Sequence, residues 1–180
     1  MVKNWNLLLL ALLLVSCKTY DPWGMLAAGS SVQERFENSV NLPDRNSHTD
    51  KVSLPGERYG FWVASDLHIR DEEWNRVGNF LSRAAAEASL AVLLGDYMYV
   101  AGSSLDRLAD TIDARPDFPV FTAIGNHDVY QKGYQHAYRP AFGATCYYFK
   151  VETGRVYDLF VVLDSANGTL GRDQFGWLES

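Results

Sequence analysis

Three short runs of apolar residues lie between positions 59 and 126, and a polar residue follows each run either directly or after one glycine. None of these runs alternates apolar with polar positions. An uninterrupted apolar run of this length is typical of a strand that is covered on both faces of a sheet. The pattern therefore predicts strands at 60–65, 90–94 and 119–124.

Helical periodicity fills the segments between the predicted strands. From Glu72 to Ser89 the apolar residues recur three or four positions apart, with charged residues between them, which predicts an amphipathic helix. A second helix is predicted from about Ser103 to Asp113. Alternating strands and helices indicate an α/β fold with parallel strands and right-handed crossovers.

The pattern changes after Asp128. Residues 130–143 are predicted to be rich in loops, since they contain Gly133, Pro140 and Gly143. Residues 146–152 and 156–163 then predict a β-hairpin, and residues 174–180 predict the start of a helix.

The N-terminus predicts a targeting signal. Lys3 is followed by an apolar run from Leu7 to Val15, which is too short to span a membrane. The segment Leu14-Val15-Ser16-Cys17 resembles the bacterial lipobox, in which Cys17 would carry the lipid. The alternative is an ordinary signal peptide with an accidental cysteine. We therefore expect a lipid-anchored protein outside the cytoplasm, in a bacterial cell envelope.

These features divide the chain into three parts. Residues 1–16 are predicted to be a lipoprotein signal peptide, residues 17–58 a tether or lead-in segment, and residues 59–180 the folded domain. A short helix is predicted within the lead-in segment, around Val32 to Val40.

Composition excludes several classes of protein. Hydrophobic residues make up 47% of the chain and charged residues 21%, which is typical of a globular protein rather than a disordered one. A net charge of −6 argues against binding to nucleic acid. Two cysteines cannot form a disulfide framework, and Cys146 is interpreted as an apolar filler.

The polar residues that follow the three strands are candidates for a metal site. Asp66, Asp96 and Asn126 are spaced 30 residues apart, and a strand–helix–strand unit takes about 30 residues. All three should therefore lie at the carboxyl ends of neighbouring parallel strands, which is the edge where such sheets bind ligands. His68 follows Asp66 by two positions and should reach the same ion.

The residue types indicate the chemistry of this site. Carboxylates together with a neutral imidazole suit manganese, iron or zinc better than calcium. His127 and Asp128 follow Asn126 directly, and Asp128 is a candidate to orient and stabilise the His127 imidazole.

The three motifs together resemble the calcineurin-like metallophosphoesterase family. Asp66-x-His68, Gly95-Asp96 and Gly125-Asn126-His127-Asp128 match its first three sequence blocks. The resemblance implies an αββα sandwich of mixed sheets flanked by helices, and hydrolysis of phosphomonoesters or phosphodiesters by two divalent metal ions. It also implies that Asp66, His68, Asp96 and Asn126 hold the metals. His127 would act as general acid, with the help of Asp128.

The chain departs from the family pattern in two respects. Tyr99 stands where the family usually has a further acidic residue, so we expect altered packing there. After His127 the chain contains only His136, whereas the family supplies three more histidines from later blocks. We therefore expect that only the N-terminal half of the fold is present and that this chain is weakly active or inactive. The alternative is a non-catalytic metal-binding or interaction module.

Overall fold

The computed structural model describes residues 28–41, 51–100, 103–154 and 156–180. Cys17 and the predicted signal peptide lie outside the described residues. Within the described part, two sheets are flanked by helices, which confirms the mixed α/β fold class.

The first sheet contains the three predicted parallel strands in the order β2-β3-β4. They are β2 (Phe61–Ser65), β3 (Leu90–Leu94) and β4 (Val120–Ala123). Strand β3 lies between the other two strands, and its side chains are buried along nearly its whole length because apolar clusters cover both faces of the sheet. The runs of apolar residues thus identified these strands to within one residue at each end.

The second sheet has the order β1-β5-β6. The predicted hairpin is confirmed as β5 (Tyr147–Glu152) and β6 (Tyr157–Val162), which pair antiparallel. Strand β1 (Lys51–Ser53) pairs parallel to β5 and was not predicted, since it lies in the lead-in segment.

Six α-helices, one 3₁₀ turn and one π-helical turn connect these strands within the described residues. A 3₁₀ turn at Asp71–Glu73 precedes α2, and a π-helical turn at Tyr134–Tyr138 leads directly into α5. The helices are α1 (Val32–Asn41), α2 (Trp74–Glu87), α3 (Asp106–Asp113), α4 (Asn126–Val129), α5 (Arg139–Phe142) and α6 (Arg172–Leu178).

The prediction of a loop-rich stretch at 130–143 was wrong for most of its length. Residues 134–142 are helical, and their buried side chains include Tyr134, Tyr138 and Phe142. Pro140 fits here because it lies in the first turn of α5, where its missing N–H costs little. Gly133 and Gly143 flank the helical stretch and do not interrupt it.

The core lies in two layers. Between the two sheets, apolar side chains from both pack together, and the rings of Phe121 and Phe149 are stacked with centroids 3.5 Å apart. On the other face of the first sheet, α2, α3 and the helical stretch 134–142 enclose a larger cluster that includes Leu81 and Leu108. The three strands that carry the predicted metal ligands are thus fixed from both sides.

Helix α1 packs onto the domain through a buried ion pair. The Arg35 guanidinium donates to both carboxylate oxygens of Asp164, at 2.6 and 2.8 Å, and both side chains are fully buried. It also donates to Asn167 and to the backbone and side chain of Ser30. This part of the lead-in segment is therefore held against the end of β6.

Helix α6 is fixed to the same residue by a second pair of hydrogen bonds. The side chain of Gln174 accepts from the amide of Asp164 and donates to its carbonyl oxygen, at 2.7 and 2.8 Å. Trp177 of α6 also contacts Phe36 of α1 and Tyr148 of β5. Helices α1 and α6 therefore flank the second sheet.

In the part of the chain that the structure describes, no helix has the length and apolar character needed to cross a membrane.

Candidate metal centre

The predicted ligands lie in the loops that follow β2, β3 and β4. Ser65 pairs with Leu94, and Leu94 pairs with Ala123, so the three strands end at the same level. The first two loops continue to pair beyond the strands, since the amide of His68 donates to the carbonyl oxygen of Asp96 at 2.9 Å. The parallel sheet thus brings the sequence motifs to one edge, as predicted.

The backbone at this edge is strained. Asp66, His68 and Asp96 have φ angles of 52°, 40° and 53°, in the left-handed region that non-glycine residues rarely adopt. Such conformations cost of order 1–3 kcal/mol each and are concentrated at functional sites. Their occurrence at three motif residues supports a functional interpretation of this edge.

Three side chains form the candidate metal centre. One ligand atom each from His68, Asp96 and His127 lies within 4.8 Å of the other two. The two imidazole rings meet edge to face, with centroids 4.9 Å apart. Asp96 is buried, while both histidines are partly accessible to solvent. A carboxylate with one or two imidazoles suits manganese, iron or zinc, so these donors fit the predicted metals whether His127 is a ligand or lies beside the ion.

The other two predicted ligands, Asp66 and Asn126, lie close to this group in sequence. Asp66 is exposed at the end of β2, and the group that the described residues form does not include its carboxylate. Asn126 is the first residue of α4 and is half-buried. The structure instead places His127, which was predicted as the general acid, beside the predicted ligands His68 and Asp96.

Asp128 connects the two loops that carry the centre. Its buried carboxylate accepts the amides of Gly125, Asp96 and Tyr97, at 2.8, 2.9 and 3.1 Å. Burial raises the pKa of Asp128 to about 6, although these three hydrogen bonds act to lower it. These partners of the Asp128 carboxylate are backbone groups, so Asp128 positions the loops. A direct action on the His127 imidazole stays a prediction.

Asp96 has two functions at this site. Its Oδ1 accepts the backbone amide of His127 at 2.9 Å, which fixes the start of α4 relative to the loop after β3. Its second carboxylate oxygen can serve an ion. The same side chain therefore orients His127 and contributes to the ligand group.

The glycines of the motifs allow this close approach. Gly95 has a φ angle of 74°, and a Cβ on it would collide with the backbone of Gly125. A Cβ on Gly125 would in turn collide with the carboxylate and amide of Asp96. The two loops can meet backbone to backbone only because both positions lack a side chain.

The centre opens into a cleft of about 730 Å³. His68 and His127 line this cleft together with Arg70, Arg76 and Tyr99. Tyr99 was identified in the sequence only as a departure from the family pattern. Arg70 was not identified at all, since a single arginine in a loop carries no recognisable signal.

A comparison with models of protein families matches residues 59–177, about two thirds of the chain, to the calcineurin-like phosphoesterases. The chain belongs to this family. The match covers all three sequence motifs and all the residues of the candidate metal centre. A search of curated proteins finds no match.

Membership confirms the family that the sequence motifs indicated. Calcineurin-like phosphoesterases are in general hydrolases that act on phosphoesters and use divalent metals, and the group of His68, Asp96 and His127 is a possible metal-binding triad in this member.

Proposed function

We propose that this calcineurin-like phosphoesterase hydrolyses phosphomonoesters or phosphodiesters of small molecules at a centre of two divalent ions. The observation that carries the proposal is the approach of His68, Asp96 and His127 to within 4.8 Å of one another, in a family of phosphoesterases. Asp66 and Asn126 lie at the same edge of the sheet and would complete the coordination. Manganese, iron and zinc fit this set of donors.

The residues of the centre have two roles, metal binding and proton transfer. Divalent ions supply a Lewis acid and lower the pKa of water. His68 and Asp96 would hold the metal, and Asp96 also fixes the backbone of His127. His127 donates a proton to the oxygen of the leaving group, because its imidazole lies beside the ligand atoms and is accessible from the cleft.

Three histidine variants test this division. His68→Gln should weaken Mn²⁺ binding about tenfold or more, because it removes a ligand. His127→Gln should leave Mn²⁺ binding within about threefold but lower the turnover of 4-nitrophenyl phosphate about a hundredfold, a typical loss for a general acid. His136→Gln is the matched control, since His136 is exposed and does not line the cleft.

The outcomes separate the possible functions. Loss of Mn²⁺ binding in His127→Gln would make His127 a ligand and contradict its assignment as the acid. Mn²⁺ binding without any hydrolysis would favour the non-catalytic metal-binding module. Equal effects of the His136 and His68 variants would contradict the metal centre itself.

We further propose that the protein is anchored by a lipid on Cys17 and lies outside the cytoplasm of a bacterium. The proposal is supported by the short apolar run that ends at Val15 and by the lipobox-like segment that follows. Labelled palmitate should attach to the expressed protein and should be lost in Cys17→Ala. Cys146→Ala is the control and should keep the label; a labelled Cys17→Ala protein would contradict the anchor.

A further inference from the structure

The cleft beside the candidate metal centre also contains an arginine stacked on a tyrosine. The guanidinium of Arg70 lies over the ring of Tyr99, 4.0 Å from its centroid. Both residues line the same cleft as His68 and His127. The pair thus lies within reach of a molecule that occupies this cleft.

Backbone pairing fixes the position of this pair. Beyond the ends of β2 and β3, the amide of Ile69 donates to the carbonyl oxygen of Tyr97 at 2.7 Å, and the amide of Tyr99 donates to the carbonyl oxygen of Ile69 at 3.2 Å. Arg70 follows His68 by two residues, and Tyr99 follows Asp96 by three. The ladder that aligns the candidate ligands therefore also aligns Arg70 with Tyr99.

The charge of Arg70 is not neutralised by a carboxylate among the residues that the structure describes. The second arginine of the cleft differs in this respect, since Nη1 of Arg76 lies 2.6 Å from Oε1 of Glu73. The other oxygen of Glu73 faces the backbone amide of Arg70 at 3.4 Å. Of the two arginines in this cleft, Arg70 is thus the one whose charge remains available to a ligand.

Stacking prepares Arg70 to bind an anion. A guanidinium that lies flat on an aromatic ring keeps the N–H groups at its edge available, and these match the two oxygens of a carboxylate or a phosphate. The ring also restricts the side chain before binding, which lowers the entropy lost when a ligand binds.

We propose that Arg70, positioned by Tyr99, determines specificity by binding a second oxyanion on the leaving group of the substrate. The proposal rests on the phosphoesterase function proposed above. His127, the proposed acid for the leaving group, lines the same cleft as Arg70, so the leaving group extends towards the guanidinium. The preferred substrates are phosphoesters whose leaving group carries a carboxylate or a further phosphate.

Equilibrium binding of phosphonates tests the proposal without requiring turnover, because their C–P bond is not hydrolysed. The full chain, loaded with Mn²⁺, is titrated calorimetrically with benzylphosphonate and with benzylphosphonate that carries a carboxylate in the para position. We expect the carboxylate to tighten binding about fivefold, as for an exposed but well-oriented ion pair. A bisphosphonate of the same length shows which oxyanion Arg70 prefers.

Matched variants assign the effect to the stacked pair. Arg70→Gln should abolish the preference for the carboxylate and leave the affinity for benzylphosphonate within about twofold. Tyr99→Phe should keep the preference, and Tyr99→Leu should reduce it. Arg107→Gln is the control, since Arg107 stacks on Trp74 at 4.6 Å but does not line the cleft.

Each contrary result has a distinct meaning. A wild-type protein that binds both ligands equally, or an Arg70→Gln variant that loses affinity equally for both, would overturn the proposal for Arg70. Benzylphosphonate that fails to bind, or binds equally well without Mn²⁺, would contradict the proposed phosphoesterase function instead. Circular dichroism of each variant establishes that the fold is retained.

Discussion

Two glycines determine how closely the loops of the metal centre can approach. Gly95 and Gly125 belong to different loops. A Cβ on Gly95 would collide with the backbone of Gly125, and a Cβ on Gly125 would collide with Asp96. The Gly-Asp and Gly-Asn pairs of the motifs are therefore steric requirements as well as chemical ones. A methyl group at either position would separate Asp96 from the start of α4.

Gly125→Ala should damage both stability and metal binding. The added Cβ collides with the carboxylate of Asp96, so we expect a loss of about 1–3 kcal/mol in the free energy of unfolding. Mn²⁺ affinity should fall about tenfold or more, because Asp96 is displaced. Urea unfolding and calorimetric titration measure the two effects.

Gly78→Ala provides the control for this substitution. A Cβ on Gly78 meets no atom within 4 Å, and the residue lies inside α2. It should stabilise the protein by about 0.5–1 kcal/mol, as alanine does inside a helix. Unchanged Mn²⁺ binding in both variants would contradict the steric explanation.

Cys146 should be unreactive in the folded protein. Burial, and to a smaller extent the charge of Asp164, raise the pKa of its thiol to about 12. A raised pKa leaves very little thiolate at about pH 8, and the thiolate is the reactive form. In a Cys17→Ala background, a chromogenic disulfide reagent should detect about one thiol only after denaturation. Rapid labelling of the native protein would refute this.

At the scale of secondary-structure elements, a fully buried ion pair contributes to the attachment of α1, together with the buried hydrogen bonds of Ser39 and the contact of Phe36 with Trp177. Arg35 contacts Ser30, Asp164 and Asn167, so it joins the lead-in segment to the connection between β6 and α6. A buried charge that loses its partner is costly, whereas replacing both partners by apolar groups is often tolerated.

Arg35→Met should therefore lower the free energy of unfolding by about 3–5 kcal/mol, since it leaves Asp164 charged and buried. Combining it with Asp164→Leu should recover much of this loss. Arg83→Gln is the control, because its pair with Glu87 is exposed and should contribute less than about 1 kcal/mol. A double variant as unstable as the single one would contradict this account of the loss.

The elements that sequence patterns predicted are those whose pattern is local. Strand β3 and helix α2 are long enough to show their own periodicity, and the structure confirms both. Strand β1 has three residues, and it forms only because β5, about a hundred residues later, offers an edge. At 134–142 the buried positions do follow a helical period, but flanking glycines and Pro140 obscured it.

The candidate site also has features that the sequence predicts and features that only the folded backbone determines. The 30-residue spacing predicted that the three loops share one edge of the sheet, because that follows from topology alone. Which side chains approach most closely depends on left-handed backbone at Asp66, His68 and Asp96, and no sequence pattern reveals such angles. The grouping of His127 with His68 and Asp96 is for this reason a result of the structure.

At the scale of the whole molecule, two strands at the sheet edges expose apolar side chains. Strands β2 and β6 each have one strand neighbour among the described residues, and Val63 and Leu159 are 48% and 53% exposed. An apolar edge strand is a template for pairing with another chain.

This chain should therefore self-associate as its concentration rises. The double variant Val63→Lys with Leu159→Lys should shift sedimentation and light scattering towards the monomer, because charges on edge strands oppose pairing. Val156→Lys is the control: Val156 is 63% exposed but precedes β6. A monomeric wild-type chain at all concentrations would show that these edges do not associate.

The single carboxylate of Asp128 that accepts three amides has a consequence for the motions of the molecule. Asp128 belongs to α4, so its hydrogen bonds to the amides of Asp96 and Tyr97 join the loop after β3 to the loop after β4, whereas its bond to Gly125 lies at the start of α4 itself. In hydrogen–deuterium exchange, the amides of Asp96 and Tyr97 should consequently open together, with a common rate. Asp128→Asn replaces one of the two accepting oxygens by an NH₂ group, so it should uncouple the exchange of these amides.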